Sequence, residues 1–215
     1  MNISKQKAVT LLRFLYPIWA LIGLFSLLYV PGKLIVAGNA ALTASNIVSN
    51  ELLFRFGIVG SLITQLIHIV VVLVLYKLFS SVDKNQSMLV VIFGLVGVPI
   101  AMLNTVNKVV ALQFLNNPDQ MMFFLNLNAL GIVIASIFWG LWLFPQGILI
   151  YKSGFFPKVF GILMVIACLG FFLGSFFHLI LNRTPPIFEI MTAGETIFML
   201  WVIIRGAKLP KTNLN

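Results

Sequence analysis

Apolar residues run along this chain in six stretches, at roughly 11–34, 52–79, 88–115, 121–151, 157–181 and 187–206, and short polar segments separate them. As a helix rising about 1.5 Å per residue, each stretch is long enough to cross the roughly 30 Å of a bilayer's hydrocarbon. The breaks carry turn chemistry: Ser80-Ser81-Val82-Asp83-Lys84-Asn85, Asn116-Asn117-Pro118-Asp119, Ser153-Gly154 and Asn182-Arg183-Thr184-Pro185-Pro186. One longer connection, Pro31 to Asn50, has room for a short interfacial helix, and Asn50 is placed to cap the second span. The pattern predicts an all-α polytopic membrane protein, a single six-helix domain over residues 1–215 whose last segment, 207–215, is a short basic cytoplasmic tail.

Composition sharpens this picture. Hydrophobic residues make up 60% of the 215 positions and charged residues 9%, whereas a soluble domain carries about a quarter charged residues. The lipid bilayer is therefore the solvent, and the partner, of most side chains. The first stretch is longer than the roughly 7–15 apolar residues of a signal sequence, so it reads as an uncleaved span. Cys168 stands alone, which excludes an intrachain disulfide and a cysteine-based metal site and leaves a small buried apolar side chain.

A net charge of +9 points to nucleic acid in a soluble chain. Here the bases are thinly spread over loops and tails with no aromatic-interleaved cluster, so they read as topogenic signals and no nucleic-acid partner is expected. Lys5, Lys7, Arg13, Lys77, Lys84, Lys152, Lys158, Arg205, Lys208 and Lys211 fall on one side of the six-span topology. Lys33, Arg55, Lys108 and Arg183 fall on the other. The positive-inside rule then places both termini in the cytoplasm. Tyr16, Tyr76, Tyr151, Trp142 and Trp201 fall near the inner boundary, as an interfacial aromatic belt would.

Against this background Glu195 stands out, since it is the one carboxylate deep inside an apolar run, PPIFEIMTAGETIFMLWVIIRG, whose other acid, Glu189, lies at its end. Ionisable groups at such depth cost a few kcal/mol or more to insert and mark partners or function. Counting from the outer ends of the spans puts Glu195 about 12 Å down and Lys108 about 10 Å down. Asn104, Asn107, Asn126, Asn128 and His178 belong to the same half of the bundle. Gly97, Ala101, Asn104, Lys108 and Ala111 recur at three- and four-residue spacing, as do Gly170, Gly174 and His178, and Thr192 shares a face with Glu195. Two readings follow. One is an outward-facing polar pocket in which Glu195 meets a proton, cation or amine. The other is a buried Lys108–Glu195 pair that only sets helix register.

The second span carries a further polar stripe, Ser61, Thr64 and His68 with Gln65 at its edge, that reads first as a hydrogen-bonded packing face. Arg55 follows Glu51 by four residues, as an exposed i,i+4 ion pair. The chain contains no Walker loop, no HExxH, no nucleophile elbow and no cysteine cluster, so neither a cofactor nor a metal is expected and catalysis is the third reading. A pocket that binds or translocates a small molecule, ion or lipid is the first. A non-transporting accessory or sensor subunit is the second.

Several segments carry a family resemblance. Asn39-Ala40-Ala41-Leu42-Thr43-Ala44-Ser45-Asn46-Ile47, then Glu51-Leu52-Leu53-Phe54-Arg55-Phe56-Gly57, resemble the first extracytoplasmic connection of a bacterial multi-pass family known only as domain of unknown function four-three-eight-six. Phe138-Trp139-Gly140-Leu141-Trp142-Leu143-Phe144-Pro145, Gly147 and Tyr151-Lys152-Ser153-Gly154-Phe155-Phe156-Pro157 are similar to its fourth-to-fifth-span signature. Gly194-Glu195 with Leu200-Trp201 resembles its final span. The similarity runs from about Arg13 to Lys208 and implies a bacterial inner-membrane protein. It brings no activity or ligand. Where that family places an acid near position 61, this chain has Ser61.

Overall fold

The computed structural model describes residues 3–209, so Lys211 and the rest of 210–215 in the expected tail lie outside the described residues. The described residues form helices and no strand: α1 (Lys5–Gly23), a π-helical turn (Leu24–Tyr29), α2 (Val30–Leu34), α3 (Ala40–Ser49), α4 (Glu51–Phe79), α5 (Lys84–Asn104), α6 (Val106–Ala111) with a 3-10 turn (Leu112–Phe114), α7 (Pro118–Leu141), α8 (Leu143–Ser153), α9 (Lys158–Leu181) and α10 (Pro186–Arg205). Joined end to end where they are continuous, they make six helices long and apolar enough to cross a membrane: Lys5–Leu34, Glu51–Phe79, Lys84–Phe114, Pro118–Ser153, Lys158–Leu181 and Pro186–Arg205. The long connection holds α3, short and apolar.

Several helices begin before their apolar stretch does, at Lys5, Lys84 and Pro118 rather than near residues 11, 88 and 121. Hydropathy marks the part of a helix that needs lipid, whereas hydrogen bonding continues into the polar turn that meets water. Caps fix these starts. Asp83 Oδ1 accepts from Gln86 N–H at 3.1 Å before α5, and Asn117 Oδ1 accepts from Gln120 N–H at 3.3 Å before α7. Asn39 does the same for α3, from Leu42 N–H at 2.9 Å. Asn50 does sit at the start of α4, its carbonyl accepting from Phe54 N–H at 3.1 Å. Its side-chain amide turns back and donates to Asn46 O at 3.0 Å.

Three spans are interrupted, each where the backbone ladder is locally broken. Pro145 lacks the N–H that would bond Leu141 O, and the fourth span breaks at Trp142 between α7 and α8. The first span carries Pro17 inside α1 and Pro31 inside α2, with the π-helical turn between them. The third breaks at Thr105, whose N–H is shared between Ala101 O at 3.2 Å and Met102 O at 3.1 Å.

The described residues divide into two compact units, and the divisions fall inside α1, α4, α5 and α7. The first unit comprises the described residues up to Pro17, Ile69–Gly97 and those from Ser136 onward. Glycines bring its helices close. A Cβ on Gly147 would lie 2.7 Å from Gly161 O, so α8 and α9 touch backbone to backbone. A Cβ on Gly170 would lie 2.7 Å from Phe188 O and 2.8 Å from Met191 Cβ, and Gly194 answers from α10 against Leu163 O. The Gly170–Gly174 pair is thus the seam of α9 on α10.

The second unit comprises Ile18–His68 and Val98–Ala135. Its core gathers Val30, Leu34, Ile47, Phe54, Met121 and Leu125. Gly57 packs against Val30, and Gly60 against Ser26, so the first and second spans approach closely there.

Candidate functional site

In the first unit three polar side chains from three distant segments come near one another. Tyr16 of α1 is 3% exposed and Gln146 of α8 is 1% exposed. The Gln146 side-chain amide and the Tyr16 hydroxyl lie within hydrogen-bonding reach of each other, and Tyr16 lies within electrostatic reach of the Glu195 carboxylate on α10. Gln146 reaches this place because Pro145 breaks the fourth span just before it. The buried Gln146 Oε1 has no hydrogen-bond partner among the described residues. A buried acceptor left open calls for an explanation such as a water or an ion. Within its own unit Glu195 has no ion-pair partner among the described residues. The group offers a carboxylate, an amide oxygen and a phenol, a donor set that suits a proton, a cation or an ammonium.

Other sites predicted in that unit have local partners. His178 Nδ1 pairs with Thr184 Oγ1 at 3.2 Å near the end of α9. The Thr192 hydroxyl donates to Glu189 O at 2.7 Å, one turn back on its own helix.

The second unit holds Lys108, Asn104, Asn107, Asn126 and Asn128, so these side chains and Glu195 belong to different units. Asn104 and Asn128 clasp their helices reciprocally. Asn104 Nδ2 donates to Asn128 O at 2.8 Å, and Asn128 Nδ2 donates to Asn104 O at 3.1 Å. The break at Thr105 makes this possible: Lys108 N–H bonds Thr105 O at 3.0 Å, releasing the Asn104 carbonyl from the helix ladder. Asn107 Nδ2 donates to Asn104 Oδ1 at 3.0 Å. The Asn104 amide lies directly over Gly131, where a Cβ would collide with it. Lys108 is 5% exposed and has no ion-pair partner within its unit among the described residues. Asn126, grouped with these by depth, is exposed instead.

The second-span stripe is buried, and much of it is bonded to its own helix. The Ser61 hydroxyl donates to Gly57 O at 2.9 Å and Thr64 to Gly60 O at 2.8 Å. Trp19 Nε1 donates to Thr64 O at 3.1 Å, and its ring lies 5.3 Å from that of His68. The buried Gln65 Oε1 has no hydrogen-bond partner among the described residues. Arg55 and Glu51 form the expected exposed pair, Nε to Oε1 at 2.7 Å.

Sequence reasoning overlooked Gln146. Tyr16 and Trp142, two of the expected belt aromatics, are both buried against the protein. A signal for Gln146 was present: a carboxamide in the middle of an apolar run, directly after the proline that breaks it. Among the described residues no three His, Cys, Asp or Glu side chains gather as metal ligands.

Fold and site together define a six-span, all-α, multi-pass membrane protein with polar groups buried between its helices. The chain belongs to the family described as Domain of unknown function (DUF4386), whose model matches residues 14–206. An uncharacterized protein of Archaeoglobus fulgidus is 31% identical over 156 residues, covering 73% of this chain and 87% of that protein. No solved structure matches the chain.

Proposed function

We propose that this protein binds, or passes across the bilayer, a small cationic species (a proton, a monovalent cation or an organic amine) at Glu195, with Tyr16 and Gln146 as the neutral walls of the site. The observation that carries the reading is the open Gln146 Oε1 beside Tyr16, which is itself near Glu195. An acceptor left open in such a place is satisfied by a bound donor or cation, and intramembrane carboxylates commonly serve ion and proton pathways. Proteoliposomes test this with a pH-sensitive dye inside, driven by imposed proton, sodium or ethylammonium gradients. Glu195→Gln should abolish a flux seen in the wild type, and Gln146→Leu should weaken it. Flux unchanged across pH in Glu195→Gln removes the role assigned to that residue.

A second reading, an accessory or sensor subunit whose polar residues hold helices together, draws support from the Asn104–Asn128 clasp and the back-bonded hydroxyls of Ser61 and Thr64. An intramembrane enzyme is the third reading, and the one pairing that favours it is the Thr184 hydroxyl beside His178 Nδ1. For location we propose a bacterial plasma membrane with both termini cytoplasmic, supported by the lopsided distribution of lysine and arginine.

A further inference from the structure

At one end of the first unit, α10 runs out beside the turn that joins α8 to α9, and a cavity of about 330 Å³ opens between them. Its walls are Phe155, Phe156 and Trp201, and its charged edges are Arg205 and Lys208. The backbone holds this shape. Gly154 and Gly206 take left-handed φ values of +67° and +69°, turning the chain sharply after α8 and after α10. Lys208 N–H donates to Phe155 O at 2.8 Å, tying the exit of α10 to the α8–α9 turn. Arg13 adds a further cation, its Nε donating to Ile203 O at 3.1 Å and its Nη2 to Ile204 O at 3.4 Å at the last turn of α10. Lys5 Nζ lies 5.2 Å from the centre of the Phe155 ring.

Among the described residues no acidic side chain lines the cavity. The loop carboxylate in this unit, Asp83, is engaged by Lys152 at 3.1 Å. Arg205 and Lys208 are exposed and have no ion-pair partner among the described residues. The cavity is therefore a cationic mouth with an aromatic floor, set at the end of a membrane-spanning helix. Anionic headgroups are attracted to lysine and arginine at such a position, and tryptophan is favoured at headgroup level.

We propose that this cavity binds the phosphate headgroup of an anionic phospholipid, with Arg205 and Lys208 on the phosphate and Phe155, Phe156 and Trp201 against the glycerol and upper acyl carbons. The aromatic floor favours a lipid over a free anion, because inorganic phosphate gains nothing from apolar walls. The site is independent of Glu195, and the two proposals stand or fall separately.

Native mass spectrometry of the purified full chain in a neutral detergent tests it, titrating phosphatidylglycerol and phosphatidylcholine of matched acyl chains. The wild type should bind phosphatidylglycerol on the order of tenfold more tightly or better. Arg205→Gln with Lys208→Gln should reduce that preference to near parity, while Arg205→Lys with Lys208→Arg should keep most of it. Lys77→Gln with Lys84→Gln removes the same charge elsewhere in the unit and should leave the preference intact. Equal binding of the two lipids by the wild type overturns the proposal. So does an equal loss in the Lys77/Lys84 control, or displacement of the lipid by an equal concentration of inorganic phosphate.

Discussion

Replacing Asn128 by alanine should cost the second unit more than an average interhelical hydrogen bond. In an unbroken helix the Asn104 carbonyl would accept from Lys108 N–H. Here that N–H bonds Thr105 O at 3.0 Å, and Asn128 Nδ2 at 3.1 Å is what satisfies Asn104 O. Interhelical hydrogen bonds in membranes average about 0.6 kcal/mol and reach about 1.7. Truncating Asn128 also leaves a partly buried carbonyl unpaired, for which about 1–3 kcal/mol is the upper range. Asn104→Ala removes the reciprocal 2.8 Å bond, withdraws the acceptor of Asn107 and empties the space over Gly131. Its cost should be about 2–3 kcal/mol, with the cavity added to the lost bonds. The assay is reversible unfolding in mixed detergent micelles for both single variants and the double variant. Because the two side chains bond each other's backbone, the cycle should return a coupling of about 1 kcal/mol. A coupling under about 0.3 kcal/mol, the scatter expected of independent sites, refutes the clasp as a structural unit. Retained stability with altered ligand binding would instead place the two amides in a binding site.

Three further outcomes are expected. Gly194→Ala drives a Cβ into the Leu163 backbone of α9, so thermal unfolding in detergent should show a loss of about 1–3 kcal/mol; an unchanged midpoint means the α9–α10 seam is looser than described. The Asp83 carboxyl is held below its ordinary value of 3.8, chiefly by Gln86 N–H and next by Lys152. A depressed folded value contributes stability above about pH 4 that is lost as pH falls through it, so acidification should lower the wild-type midpoint more than that of Asp83→Asn, and parallel pH profiles would contradict the cap. Glu51→Gln should shift stability by less than about 0.5 kcal/mol, because its pair with Arg55 is exposed and screened, and a larger loss would show that the pair is buried in the membrane-embedded protein.

Much of the architecture was legible because a bilayer makes it a local property. With no water to satisfy the backbone, an apolar stretch of sufficient length has to be helical, so hydropathy alone locates the spans. Even the α9–α10 seam was foreshadowed by Gly170 and Gly174 at four-residue spacing, although the spacing does not say which helix they meet. The polar groups were legible only as a list. Asn126 and Asn128 lie at nearly the same depth, yet two residues along a helix turn the side chain by about 200°, leaving one exposed and the other in the clasp.

By itself, then, the sequence determined an all-α protein of six spans with short polar turns, and singled out Glu195 as an acid that needs a reason. Only the tertiary structure decided what surrounds that acid. Tyr16 and Gln146 come from spans more than a hundred residues apart in the chain, and they meet because a proline break turns Gln146 inward and glycine contacts hold α8, α9 and α10 close. Helical periodicity gives each residue a face. The rotation and axial register of one helix against another depend on packing between segments distant in sequence, and no local pattern encodes that.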